Sequence, residues 1–462
     1  MKNPISRREL LRILSAAGFG TVLATRTVAD EVGKKGVSAK AVSSGWESVR
    51  KQIPVAPRDR YPATLVGGRV IQPQRPLPVI QETDVLVVGG GAAGFAAAVS
   101  AARAGVKTTI VERYGYLGGL WTGGIVLIVL GTHAREGNEL IWALRGIGGE
   151  LLERHNRVTG AIIYRDSRKI NPTTDPEATK YFMDEMIAES GASVLLHCWA
   201  TDVVMDGNAI RGVVLESKAG RQAILAKVVV DATGDGDIFA AAGAEFEQWL
   251  HAIGLVHRRG NVDRADVAKL KAAGFKSLGA VEPLPSVNWV NLRGPMADGL
   301  DVKELTRLEM EHRRTIWQSI QKLRNTPGGE NVFLLQVAPQ LGVRVTRILA
   351  GTQKLTYAEA RAGKKFPDTI AVGGSQSGHH GGWPIPYGTL LPKKLDGLLA
   401  AGRCICVDEK LIEDMRVIAP CLMTGHAAGA AAAVAVQSQC RPRDVDISKV
   451  QKLLRDQGAY LG

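Results

Sequence analysis

One stretch, TDVLVVGGGAAGFAAAVSAARAGVKTTIVERYGYLGG, residues 83–119, restricts the fold of this chain more than any other. Residues 84–88 are a short apolar run suited to a strand buried on both faces of a parallel sheet. Gly89, Gly91 and Gly94 complete a GxGxxG pattern. The first glycine permits a tight turn, the second lets the backbone approach a pyrophosphate, and the third lets the next helix pack on the strand. A helix over 92–104, built of small residues, turns its N-terminal amides at Ala92 and Ala93 and its dipole toward the phosphates. Gly105 supplies a left-handed cap. A second strand over 106–111 ends at Glu112, whose carboxylate can accept both hydroxyls of a ribose. An acid at that position opposes a ribose phosphate, so the pattern predicts a dinucleotide other than NADP.

Two later segments extend the pattern: AKVVVDATGDGD, residues 226–237, a strand running into a Thr-Gly-Asp turn, and LDGLLAAGRCICVDEKLIEDMRVIAPCLMTGHAAGAAAA, which ends in a second helix of small residues. With them the sequence resembles the FAD-dependent oxidoreductases of the glutathione-reductase-like class. Within that class it is similar to the bacterial group carrying ERYGYLGG, DATGDGD, LGVRVTR, IPYGTLLP and GRCI, or near variants, in this order. The resemblance spans residues 82–460. It implies an α/β fold with a Rossmann-like FAD-binding domain (parallel sheet, βαβ unit, β-meander) and an inserted α+β substrate or cap domain.

The same resemblance implies FAD held without covalent attachment. Arg113 would join Glu112 at the cofactor, and Gly118 and Gly119 would pass close to the flavin or its pyrophosphate. Ala200, after a strand over 194–199, would meet adenine through its backbone, and Gly234 and Asp235 would lie under the pyrophosphate. The 402–429 segment would bring Gly402, Asp414, Arg416 and the last helix to the flavin. Pro420 suits a first helical turn, and Gly425, Ala428 and Gly429 allow close backbone approach. That helix N-terminus, aimed at the pyrimidine end, would stabilise the negative charge of the reduced ring. The competing reading is an Ala-rich packing helix.

Residues 240–375 do not continue the dinucleotide pattern. Leu305, Leu308, Ile316, Ile320 and Leu323 mark one face of an amphipathic helix, stopped by Pro327, Gly328 and Gly329, and the region reads as a cap. In LGVRVTR, Arg344 and Arg347 would share a side if helical, either to clamp an anionic substrate or to brace the domain junction. Where the family has an acid between them this chain has Val345, beside Thr346, which favours bracing. In GSQSGHHGGWPIPYGTLLP, His379 and His380 offer a base near neutral pH, while Trp383 and Tyr387 can wall the flavin face. A surface loop with incidental histidines fits as well. His426, in the last helix, is the next catalytic candidate, with packing as its alternative. A further helix over 175–190 is capped by Asp175, opened by Pro176 and closed before Gly191.

These readings predict a hydride-transferring enzyme acting on a small organic substrate, with electrons leaving to an unidentified acceptor. The alternatives are a reductase of an activated double bond and a non-catalytic flavin-binding or electron-transfer protein. A second GxGxxG, which a built-in NAD(P)H site needs, does not occur. Five cysteines are too few and too irregular for a disulfide framework or a four-thiolate metal site, and Cys404 and Cys406 read as strand packing. No metal is expected.

The chain opens on SRRELLR, which resembles a twin-arginine export signal, although Leu10 stands where Phe is usual and Arg12 where Lys is usual. The apolar run over 13–24 is shorter than the about 20 residues that span a bilayer and suits a cleavable signal. A basic leader without that role is the alternative. Export of an already folded, cofactor-loaded protein to the periplasm by the twin-arginine machinery follows from this reading. The formal charge is +13, yet Lys2, Arg7, Arg8, Arg12 and Arg26 stand in the leader, and the densest basic spot beyond it is His257, Arg258 and Arg259. That pattern predicts a solvated surface or an anion site rather than nucleic-acid binding. The expected divisions are a signal at 1–29, a tether and surface wrap at 30–80, a cofactor domain at 81–240 and 376–462, and the cap at 241–375.

Overall fold

The computed structural model describes residues 61–164, 167–374 and 382–462. The export-signal segment and the loop holding His379 and His380 lie outside the described residues. The chain divides into two compact units, Met1–Arg75 and Pro76–Gly462. In the first, β1 (Thr64–Val66) pairs antiparallel with β2 (Arg69–Ile71). Gly67 and Gly68 join them with φ of 54° and 75°, the two positive angles of a tight hairpin turn. Sequence reading finds no period in this segment, because three-residue strands are too short to display one.

The second unit is organised by a seven-stranded sheet. From β3 (Val79–Val88) the chain turns into α1 (Ala92–Arg103) and returns as β4 (Thr108–Val111), parallel to β3. After α2 (Pro176–Ser190), whose Asp175 cap accepts from the Ala178 amide at 2.8 Å, β5 (Ser193–Leu195) extends the parallel ladder beside β4. The expected single strand over 194–199 is broken: His197 adopts φ 59°, and its ring lies where a side chain at residue 115 would stand. Ala200 therefore sits inside the next strand, β6 (Trp199–Asp206). This strand, β7 (Ala209–Ser217) and β8 (Gly220–Asp231) form an antiparallel meander. Along its length β8 also runs parallel to β3, and its last residues pair in parallel with β9 (Leu398–Ala400). The mixed α/β fold with a parallel-containing sheet is thus as the sequence predicts.

A separate antiparallel sheet orders Ala280–Val281, Asn288–Leu292, Leu255–Gly260 and Phe333–Val337. The long helix α3 (Val302–Arg324) belongs to the same region. Its Asp301 cap accepts from the Lys303 amide at 2.8 Å and the Glu304 amide at 3.3 Å. Leu308, His312, Ile316, Ile320 and Leu323 form its buried stripe, and His312 Nε2 meets the Ile253 carbonyl at 3.1 Å. The His257–Arg259 run is not solvated as expected. All three residues are buried in the Leu255–Gly260 strand, and Arg258 pairs with buried Glu282.

Against the main sheet lie α1 and α4 (Ile418–Gln437), crossing where both are stripped to small residues. A β-carbon on Gly425 would stand 2.0 Å from the Ala93 carbonyl oxygen, and one on Gly429 would stand 2.2 Å from that of Ala97. These two pairs, four residues apart on each helix, mesh the backbones directly, and Phe95, Ala96 and Val99 fill the core around them. α4 has the length and apolarity of a membrane span, but that apolar stretch is wholly buried inside the protein. Cys404 and Cys406 are buried as expected, yet Cys404 sits in a 3-10 turn (Gly402–Cys404) rather than a strand.

Candidate cofactor-binding site

The site begins at the C-terminal edge of β3. Gly89 takes φ 98°, and a β-carbon there would be 2.5 Å from the Ala232 carbonyl oxygen; at Gly94 it would be 1.7 Å from the Gly89 carbonyl oxygen. Both glycines let strand, turn and helix touch. Gly91 differs, since nothing lies within 4 Å of its missing side chain, and it lines a cleft of about 410 Å³ with Ala92 and Ala93. No side chain caps α1, so the amides of its first turn are available to a ligand in that cleft. Gly118 donates its amide to the Gly90 carbonyl at 2.8 Å, fastening the ERYGYLGG turn alongside. Gly118 and Gly119 line the cleft there.

Glu112 is buried at the end of β4. Its two carboxylate oxygens accept from the Gly90 amide at 2.6 Å and the Tyr114 amide at 2.9 Å. Each oxygen keeps a second lone pair for a hydroxyl. Beside it the Arg113 guanidinium lies over the rings of Tyr114 and Trp199, 4.9 and 5.5 Å from their centroids. With Ala200 these residues form one end of the cleft, a flat cationic and aromatic surface suited to a base.

The floor is tied by Asp231. Its carboxylate accepts from the Thr233 amide and hydroxyl at 3.1 and 2.7 Å, and from the Ile238 and Phe239 amides at 3.0 and 2.9 Å. Those bonds shape the turn that places Gly234, at φ 79°, and Asp235 in the cleft. Asp235 accepts from Arg403 Nη2 at 3.1 Å and Thr346 Oγ1 at 2.9 Å. Arg347 reaches the Asp235 carbonyl at 3.0 Å and Asp237 at 2.9 Å. Burial, followed by the charge of Asp235, raises the Asp237 carboxyl, and Arg347 opposes this. LGVRVTR is therefore not helical: Arg347 opens a short strand, Arg347–Leu349, and braces the turn.

At the other end Gly402, with φ 85°, approaches Ala93 and donates its amide to Thr424 Oγ1 at 3.1 Å. Arg416, Ile418 and Cys421 close this end from the start of α4, and burial pushes the Cys421 thiol up to about 12.

Of the candidates read from sequence, the structure gathers Gly89, Gly91, Ala92, Ala93, Glu112, Arg113, Gly118, Gly119, Ala200, Gly234, Asp235, Gly402 and Arg416 around one cleft. Gly94 lets the helix pack on the strand, as its place in the pattern predicts, Gly425 packs against Ala93 rather than lining the cleft, and Asp414 is outside the lining. Two catalytic candidates are corrected. Tyr387 is buried away from the cleft and donates to the Pro442 carbonyl at 2.7 Å. His426 packs beside Gln457, 2.7 Å from its Oε1, and burial holds its ring at about 4. Trp383 is likewise buried elsewhere in the core. Sequence reading missed Arg403, although GRCI contains it. It also missed Trp199 and Glu309, a residue of α3 that lines the cleft and whose carboxyl is raised by burial. No local motif marks Glu309. Among the described residues no cluster of His, Cys, Asp and Glu is fit to hold a metal.

These residues fit an adenine dinucleotide: a stacking surface, a ribose acceptor, capless helix amides and glycines that clear the backbone. The chain is 32% identical over 182 residues to a thiamine thiazole synthase of Metallosphaera sedula, covering 36% of this chain and 59% of that protein. It is 32% identical over 164 residues to one from Methanococcus vannielii, covering 33% and 56%. The chain thus spans somewhat over half the length of these curated relatives. Among solved structures, a geranylgeranyl bacteriochlorophyll reductase-like protein of Thermoplasma acidophilum aligns at 17% identity and a TM-score of 0.43, covering 81% of this chain and 83% of that one. The family model described as FAD dependent oxidoreductase matches residues 84–254 and 258–454. The chain belongs to the FAD dependent oxidoreductase family, and its cofactor is FAD.

Proposed function

We propose that the protein is an exported flavoenzyme of the glutathione-reductase-like class that moves a hydride between a small organic substrate and FAD, with residues 241–375 capping the substrate side. One observation carries this reading: the cleft is shared. The glycine turn of β3, the Thr-Gly-Asp turn and the start of α4 build one side, and Leu305 and Glu309 of α3 with Leu341 and Val343 line it too. A cofactor and a second molecule can therefore meet under residues of both regions.

FAD supplies a two-electron acceptor. The chain's own part is to hold the adenine half with Glu112 and Arg113, and to place the positive end of α4 where negative charge develops. A side chain must also take the substrate's second proton. His379 and His380 are the preferred bases; Glu309 is the structural addition, a cleft carboxyl whose raised pKa suits proton exchange. Electrons then leave to oxygen, a quinone or a carrier protein. The partial likeness to thiamine thiazole synthases does not extend the reading to thiazole formation.

The test is anaerobic mixing of FAD-loaded protein with a panel of alcohols, amines and hydroxy acids while the flavin band is followed. Bleaching by at least one donor supports the proposal. A flavin that dithionite reduces but no donor does favours the electron-transfer alternative, and reoxidation by an activated alkene favours the reductase. Export is tested separately: Arg7→Lys together with Arg8→Lys should leave the precursor in the cytoplasmic fraction, and unchanged periplasmic recovery would contradict it.

A further inference from the structure

On the cap side the cleft lining is apolar except at Thr306, Glu309 and Gln340. Val302, Leu305, Thr306 and Glu309 recur at helical spacing and turn one stripe of α3 to the cleft, beside the buried stripe of Leu308, His312 and Ile316. Leu305, Leu341 and Val343 pack against one apolar cluster that includes Leu308. Glu309 stands one turn beyond Leu305, and Gln340 directly precedes Leu341, so both polar groups adjoin the same apolar cluster.

What these three groups offer is hydrogen-bond acceptors. Gln340 is only 6% exposed. Its backbone amide donates to the Gly123 carbonyl at 3.2 Å and its Nε2 donates to Tyr116 Oη at 3.0 Å, which leaves Oε1 without a partner among the described residues. Thr306 donates its hydroxyl to the Val302 carbonyl at 2.7 Å and keeps lone pairs alone. Glu309 Oε2 lies 3.2 Å from exposed Arg313, a pair that solvent screens. Burial raises the Glu309 carboxyl, while Arg313 and then His312 oppose the rise.

The other charged side chains of the cleft are engaged. Asp235 and Arg403 bond each other, Asp237 bonds Arg347, Arg416 reaches Glu413, and Glu112 accepts from two amides. Arg113 lies over two rings at one end. Glu309 is thus the cleft carboxylate that, among the described residues, neither a lining arginine nor a backbone amide satisfies. Acceptors without donors call for a ligand that donates, and a half-buried carboxylate favours one that is positively charged.

We infer that Glu309 and Gln340 form an amine subsite on the cap side of the cleft, and that the substrate is a small amine whose nitrogen donates to them while its apolar body lies against Leu305, Leu341 and Val343. The inference rests on the proposed reading of the cleft and deepens it by naming the substrate class.

The test uses holoenzyme whose FAD content is measured first. Butylamine and benzylamine, the matching alcohols, and butyrate and benzoate are titrated anaerobically while the flavin's visible spectrum is followed. The readout is the concentration that half-saturates the change, whether a band shift or bleaching. At least one amine should bind more tightly than its alcohol and its carboxylate, with Glu309→Gln weakening it roughly ten- to a hundredfold at unchanged flavin content. Silence toward both amines, an alcohol or carboxylate binding as tightly as its amine, or equal amine affinity in Glu309→Gln would overturn the inference. If Glu309→Gln sheds flavin, Gln340→Leu decides: retained flavin with weaker amine binding supports the subsite, and lost flavin or unchanged binding overturns it. A band shift without bleaching supports the subsite and counts against hydride transfer from these amines alone. A colourless preparation would count against the flavin reading alone. Protection against heat by an amine, absent in Glu309→Gln, would then still support the subsite, and its absence in the unaltered chain would overturn it.

Discussion

A single methyl group separates two kinds of glycine in the β3 turn. At Gly94 a β-carbon would collide with the Gly89 carbonyl at 1.7 Å, whereas at Gly91 it would enter the open cleft. Gly94→Ala should therefore lower both the unfolding temperature and the FAD recovered per chain. Gly91→Ala should lower FAD recovery alone, and equal unfolding temperatures for the two variants would contradict this division. Glu112→Gln replaces an oxygen that accepts from Gly90 or Tyr114 with an amide group that cannot. FAD affinity should fall by an amount corresponding to about 1–3 kcal/mol, read by equilibrium titration of the apoprotein. These residues are legible in the sequence because their steric and hydrogen-bonding demands are local. Tyr387 and His426 are not, since the partners that bury them, Pro442 and Gln457, come from a distant part of the chain.

At the scale of elements, the contact between α1 and α4 sets how the cofactor turn meets the last helix. Gly425→Ala and Gly429→Ala each drive a methyl into the backbone of α1. Each should destabilise the fold by about 1–3 kcal/mol, measured as a lower denaturant midpoint; unchanged midpoints would contradict direct backbone meshing. The small residues of α4 pack against α1, as the Ala-rich packing reading has it, while Ile418 and Cys421 at its start line the cleft. LGVRVTR is not helical, so the shared helical side of Arg344 and Arg347 does not arise, and Arg347 braces the turn from a short strand. Val345, which stands in place of the family's acid, is buried, Thr346 bonds Asp235, and Arg347 bridges to the turn. A local pattern of two arginines could not reveal this, because Asp235 and Asp237 lie more than a hundred residues earlier in the chain.

Across the whole molecule, two buried histidines make the fold sensitive to acid. Burial holds the rings of His426 and His257 at about 4, with Arg259 adding to the effect at His257, against an ordinary value of 6.5. The unfolded chain therefore binds protons first as pH falls, so stability present above about pH 6.5 is lost progressively toward pH 4. Urea midpoints should decline over that window, and His426→Gln should make the decline shallower; a midpoint independent of pH would contradict the buried neutral rings. The parallel core and the cofactor were legible because strand, glycines, helix and acid fall in one continuous stretch. The second sheet was not, because its strands are short and its buried Arg258–Glu282 pair reads in sequence as surface charge. Three distant segments, the β3 turn, the Thr-Gly-Asp turn and the start of α4, line one cleft, and together they should hold one FAD. Heat release and quantification of flavin from the purified, reconstituted protein tests it most directly. One equivalent of FAD per chain is the predicted result, and a protein that takes up none would contradict it.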